Sequence, residues 1–128
     1  MSIIIFDSIQ KKETERQKLL KELLSIQAMI RGAFCITRVK CGKKYCHCQK
    51  GEGHLHHRMA LYKNKTNYQR AVPKEDHVWA KEMAGNFTRC RQIQKELSKL
   101  EQEVRELLDE HVEQVTQATK EGKSYLDI

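Results

Sequence analysis

The chain has 128 residues, with 24 Lys and Arg against 17 Asp and Glu, six His, five Cys and a single Pro, for a net charge of +7. That length suits one small module better than a deep enzyme cleft, and the positive balance favours an acidic partner such as nucleic acid or an anionic surface. The longest strongly apolar run, residues 3–6, is far short of a secretory core or of the roughly 20 residues that cross a bilayer, so a cytoplasmic location is expected.

The first element predicted is a helix over residues 7–31. Asp7 or Ser8 suits the N-cap, Leu20, Leu23, Leu24, Gln27 and Ile30 recur at helical spacing, and Gly32 supplies a stop. Short strand-like runs follow at 33–40, 57–63 and 66–72, rich in β-branched and aromatic residues, with Asn64 and Lys65 as a hairpin turn between the last two. Two or three such strands are marginal alone and need a metal staple or a helix to pack on.

Pro73 opens a second, longer helix, with Glu75 and Asp76 near its positive end. From Met83, the positions Asn86, Cys90, Ile93, Leu97, Leu100, Val104, Leu107 and His111 alternate by three and four, a heptad seam in which the polar members fix register. The expected fold is therefore α+β: two long helices, paired as an antiparallel coiled-coil hairpin, flank a small two- or three-stranded β unit with a zinc knuckle. The divisions are an N-terminal helix, 1–31; a basic head, 32–73; a long C-terminal helix, 74–121; and a tail, 122–128. Beyond the shorter helix the seam offers a surface for a second copy or another protein, unless it only packs within the monomer.

Within the head, Cys41, Cys46, Cys48 and His54 offer three thiolates and one imidazole, a complete tetrahedral set for structural zinc. Gly42, Gly51 and Gly53 allow tight folding around an ion, and Lys43, Lys44 and Lys50 offset the thiolate charge. The spacing C-x4-C-x-C-x5-H is not the common C-x2-C pair, so reduced free cysteines, or an iron–sulfur or redox role, compete. Cys35 could replace His54, as could His47, His56 or His57, whereas Cys90 belongs to the helical seam. A closed four-ligand site leaves no position for water, so the metal would hold the fold without doing chemistry.

The charge is strongly segregated. Residues 31–74 hold eleven basic side chains and one acid, Glu52, whereas residues 1–30 hold five against four, and residues 75–128 eight against twelve. Ten of the basic side chains are candidate phosphate ligands: Arg31, Arg38, Lys40, Lys43, Lys44, Lys50, Arg58, Lys63, Lys65 and Arg70. Tyr45, Tyr62 and Tyr68 interleave with them and could stack on unpaired bases, though Tyr62 and Tyr68 could equally be cross-strand packing. No helix is free to read a major groove, which leaves DNA and RNA equally open as ligands.

Arg31-Gly32, Lys40-Cys41-Gly42-Lys43, Cys46-His47-Cys48, Gly51-Glu52, His54 and Val72-Pro73 together resemble an uncharacterised bacterial and archaeal small domain often encoded by or beside transposons and other mobile elements. Its pattern is Arg-Gly, then Arg-Cys-Gly-Lys-x-x-Cys-x-Cys, then Gly-x-x-His, and the likeness covers about residues 31–100. The resemblance implies a metal-stabilised module working on or near nucleic acid. The family's Gly-Pro-Tyr-Tyr after the His is replaced here by Leu55, His56, His57 and Arg58, which removes its aromatic platform.

The sequence thus favours an accessory protein of a transposon-like or RNA-guided system, binding nucleic acid through its zinc-held head. The alternative is a protein-interaction adaptor using the C-terminal helix. An enzyme ranks third: catalytic cysteine needs a free thiolate beside a base, and metal-dependent cleavage needs carboxylates, of which the head holds only Glu52.

Overall fold

The computed structural model describes residues 2–120 and 125, and the side chains among them except those of Ser2 and of residues 117–120. In chain order the elements are α1, Ser2–Ser25; β1, Gly32–Val39; a 3₁₀ turn, His47–Lys50; β2, His54–Lys63; β3, Thr66–Ala71; a second 3₁₀ turn, Lys74–Asp76; and α2, His77–Lys120. The architecture is α+β, with an antiparallel three-stranded sheet, an N-terminal helix and a long C-terminal helix. The expected tail lies outside the described residues apart from Tyr125. No helix among the described residues is long and apolar enough to cross a membrane.

The chain forms two compact units, Met1–Ser25 with Gln92–Ile128, and Ile26–Arg91. In the first, Leu19, Ile93 and Leu100 make the core, and Leu23 and Leu97 pack against it. The pairing of α1 with α2 is antiparallel, since Lys12 bridges to Glu103 while Ile3 and Ile9 share a groove with Leu108 and His111. Lys12 donates to the Glu103 carboxylate and holds its pKa below the ordinary glutamate value. Ile93 is fully buried, Leu100 nearly so, and Leu97, Val104, Leu107 and His111 are half-buried, so the heptad positions of this stretch mark the covered face of α2.

Helix α1 is displaced from the predicted span at both ends. It starts at Ser2, ahead of the Asp7 and Ser8 caps, because Ile3, Ile5, Phe6 and Ile9 supply further apolar turns that line the groove with α2. It stops at Ser25, and Gly32 opens β1 instead of closing a helix. The face is also shifted: Leu19 is buried, whereas Leu24 is 79% exposed. Residues 26–30 leave the helix for a tertiary reason. The Met83 carbonyl accepts from the Ile30 N–H at 3.2 Å, and Asn86 Nδ2 donates to the Ala28 carbonyl at 3.0 Å. Asn86, expected to fix register in a helical seam, spends its amide on that backbone.

In the second unit the strands run β1-β2-β3 as a meander. Gly32 faces Leu61 and Val39 faces His54 across β1 and β2, while Arg58 faces Ala71 and Lys63 faces Thr66 across β2 and β3. Asn64 and Lys65 form the predicted turn, both at positive φ (53° and 63°), which gives the handedness that joins two right-twisted strands most easily. Alternation puts Phe34, Met59 and Leu61 on one face, where they meet Val72 and the small side chains of Ala80 and Ala84 on α2. Beside this core the His57 and His77 rings stack at 3.7 Å, with Phe34 about 6 Å from each (6.0 and 6.1 Å). Burial, and secondly the neighbouring His77, lower the His57 pKa.

Pro73 precedes α2 as predicted, but through the 3₁₀ turn rather than as the helix's own first turn. The Asp76 N–H donates to the Pro73 carbonyl at 3.0 Å, and α2 begins at His77.

Candidate metal centre

The site is the excursion of the chain between β1 and β2. Val39 ends β1 directly opposite His54, so fourteen residues, 40–53, must leave and return at the same end of the sheet. Gly53 closes this loop at φ 95°; a Cβ there would stand 2.6 Å from the Val39 carbonyl carbon, a separation that no side chain could accept. Gly42, at φ 80°, bends the chain immediately after Cys41. The bend lets the Lys43 N–H donate to Cys41 Sγ, which, with the Cys48 thiol as the next contributor, lowers the Cys41 pKa to about 7.

The rest of the loop carries the other ligand atoms inward. A turn closed by Cys46 N–H to the Lys43 carbonyl (3.1 Å) leads into the 3₁₀ turn, whose Cys48 is the one buried thiol of the chain's five free cysteines. The Cys41 backbone N–H favours the Cys48 thiolate, but burial and then the neighbouring thiols of Cys41 and Cys46 outweigh it and leave Cys48 raised. Lys40 Nζ donates to the Gln49 carbonyl at 3.3 Å and braces the loop against the end of β1.

Cys41, Cys46, Cys48 and His54 converge, with their ligand atoms all within 4.8 Å of one another. Cys41 and Cys48 Sγ are 3.4 Å apart, and Cys46 Sγ is 3.2 Å from His54 Nε2. A tetrahedron with metal–sulfur arms of about 2.3 Å has edges of about 3.8 Å, so this group could hold a metal ion with only a small adjustment. The other candidates stand apart from it. Cys35 lies in β1 opposite Arg58, with its thiol on the Ala33 carbonyl at 3.7 Å. The His47 ring packs edge-on to His54 at 5.6 Å, His56 and His57 are along β2, and Cys90 is on α2.

The twelve residues read as a nucleic-acid surface are dispersed over the sheet unit. Lys40, Lys43, Lys44 and Lys50 are exposed on the loop that carries Cys41, Cys46 and Cys48, with Tyr45 87% exposed among them. Lys63 and Lys65 lie at the β2–β3 turn at the opposite end of the sheet, and Tyr68 and Arg70 follow along β3, with Arg70 opposite Met59. Arg58 lies mid-sheet on the face away from Met59, with its buried Nε lacking a partner, and Arg31 stands exposed before β1. Arg38 Nε pairs with Glu52 at 3.2 Å, which engages the only acid of the 31–74 segment.

Sequence reasoning missed one feature of the other unit. Ile3, Ile5, Phe6, Ile9, Leu108 and His111 line an almost wholly apolar groove of about 420 Å³. A signal for it exists, because Ile5 and Ile9 are one helical turn apart, but a four-residue apolar run stands out in sequence only as too short for a targeting segment. Compared with known proteins, the chain matches no family model, no curated protein and no solved structure.

Proposed function

We propose that the chain is a nucleic-acid-binding accessory protein whose basic head is held together by structural zinc at Cys41, Cys46, Cys48 and His54. The observation that carries the reading is the loop that bears the Cys3His group: four exposed lysines and an exposed tyrosine, with the loop's one carboxylate, Glu52, already engaged by Arg38. Such a surface attracts phosphates and has few internal partners for its charge. Three thiolates with one imidazole favour zinc over harder cations, and a closed quartet supports a structural role. The motif resemblance supports placing the protein beside a transposon-like or RNA-guided system, acting on its DNA or RNA.

Engaging six to eight phosphates gives a slope of about −5 to −7 for log affinity against log salt on duplex DNA. Fluorescence anisotropy on duplex and single-stranded probes across a salt series measures it; affinity that hardly responds to salt rejects a charge-driven mechanism.

A second reading is favoured by the apolar groove of the helical unit. Ile3 and Ile4 are 73% and 71% exposed, and Phe6, Leu108 and Val112 are also more than half exposed or at that value (58%, 50% and 61%). Exposed apolar residues clustered in this way suit a coiled-coil partner or a second copy of the chain. Sedimentation of wild type and Phe6→Glu separates the cases: a coiled-coil dimer dissociates on the substitution, and a monomer is unaffected.

A further inference from the structure

The sheet presents a second basic site far from the metal group, and its shape is more selective than its charge. Leu61, Lys63, Asn64, Tyr68 and Arg70 line a cleft of about 340 Å³ at the β2–β3 hairpin. Strand register explains its composition. Tyr68 stands directly opposite Leu61, and Arg70 opposite Met59, so all four project from the sheet face on which α2 packs. Yet α2 buries Met59, through Ala80 and Ala84, and leaves Leu61 only half-buried at the edge of this core, with Tyr68 exposed beside it.

We infer that this cleft is a stacking site for one unpaired nucleotide of a single strand, a deepening that rests on the nucleic-acid reading above. Its volume is at the lower end for small-ligand sites, enough for one base with its sugar but not for a base pair in a stacked duplex. Leu61 and Tyr68 provide an apolar and aromatic floor. The Arg70 guanidinium lies 5.4 Å from the Tyr68 ring centroid and is held by a 3.1 Å hydrogen bond to the Gln69 carbonyl. A base entering the cleft therefore meets a planar cation that already lies over the Tyr68 ring, and it can stack on the ring or on the guanidinium plane, while Lys63 at the rim faces the phosphate. None of the lining residues is acidic, so charge complementarity favours a polyanion and stacking demands that its base be free. His54 of the metal group lies seven residues along β2 from Leu61, about 23 Å at 3.3 Å per residue, so the two basic sites grip different stretches of one ligand.

The test uses the full chain and labelled single-stranded DNA and RNA oligomers of about 12 nucleotides, their complementary duplexes, and free nucleoside monophosphate as competitor. Tyr68→Ala is expected to weaken single-strand binding by roughly 5- to 100-fold, with duplex affinity and the salt slope nearly unchanged, and Tyr68→Phe to restore it. Tyr62→Ala supplies a matched control, since Tyr62 is exposed on the opposite sheet face. Circular dichroism of each variant reports its folding, and Arg70→Gln repeats the test without removing the ring. Equal losses for Tyr62→Ala and Tyr68→Ala overturn the cleft assignment, as does a free monophosphate that binds as tightly as the oligomer. If Tyr68→Ala leaves binding intact while Lys43→Glu with Lys44→Glu abolishes it, the cleft is wrong and the broader reading stands. If the wild type binds no probe, both fail.

Discussion

The two compact units divide the chain's charge and its apolar material between them. The sheet unit, residues 26–91, holds fourteen Lys and Arg against four Asp and Glu; the helical unit holds ten against thirteen. The helical unit has a core of Leu19, Ile93 and Leu100, whereas two of the three buried residues in the core of the sheet unit are alanines. The unit that concentrates like charge is therefore the one least able to fold by burying hydrocarbon. Four converging side chains at its loop could hold a metal ion, and on the proposed reading zinc there would supply what the core lacks, because binding energy at a site absent from the unfolded chain becomes folding energy. On the proposed reading, charge and metal dependence belong together, and both are separate from the helical unit.

The largest expected effect tests that separation. Removing the metal with a chelator, or replacing Cys48 by Ala, should collapse the sheet unit, since structural zinc contributes on the order of 10 kcal/mol to small domains. Amide protection in β1, β2 and β3 should vanish while residues 92–107 stay protected. Uniform loss across both units would show that they are not independent. The converse experiment is Ile93→Ala. Truncating this fully buried side chain should cost the helical unit about 2–5 kcal/mol in denaturant unfolding, with metal content unchanged.

Gly53→Ala sharpens the comparison from the backbone side. Its Cβ would meet the Val39 backbone at 2.6 Å, at a φ that alanine resists, so metal affinity and the pairing of Val39 with His54 should fail together, at about 2–4 kcal/mol. Next in size, Lys43→Glu with Lys44→Glu should leave both units folded and reduce the magnitude of the salt slope by about two, one for each phosphate that is no longer neutralised. Anisotropy at several salt concentrations, alongside circular dichroism, checks both halves of that statement.

The smallest effect concerns pH. His57 resists protonation because burial favours its neutral ring, so below about pH 6.5 the unfolded chain takes up a proton that the folded one refuses. Stability of the sheet unit should therefore fall as pH drops from that value towards the lowered His57 pKa, and His57→Gln should flatten this part of the profile. The helical unit responds lower and in another way. Stability from the Lys12–Glu103 pair is fully present above the ordinary glutamate pKa of about 4.3 and is lost as pH falls through the lowered one.

Much of this organisation was legible in the residues. Asn64-Lys65 between two β-rich runs marked the hairpin, and Cys41, Cys46, Cys48 and His54 were sufficient to locate the converging group. The α+β class followed from the change of period between the flanking segments and the middle. What escaped had tertiary causes. The helical pattern of Leu20 to Ile30 continues past Ser25, but Met83 and Asn86 capture the backbone of Ile30 and Ala28. Glu52 pairs with Arg38 across the loop, an ion pair between residues fourteen apart that no local rule announces. The grouping of Tyr68 with Arg70 and Leu61 needed the strand register, and which tyrosine faces which side depends on that register alone.

The central claim, that one metal ion holds the basic unit in its binding form, is most directly tested by titrating the purified chain with a thiol-reactive reagent while following metal release and nucleic-acid affinity together. About one zinc per chain should be released, with affinity falling in step and the helical signal of residues 92–107 retained. Less than half an equivalent of any metal, with nucleic-acid binding unchanged as the thiols react, would contradict the account.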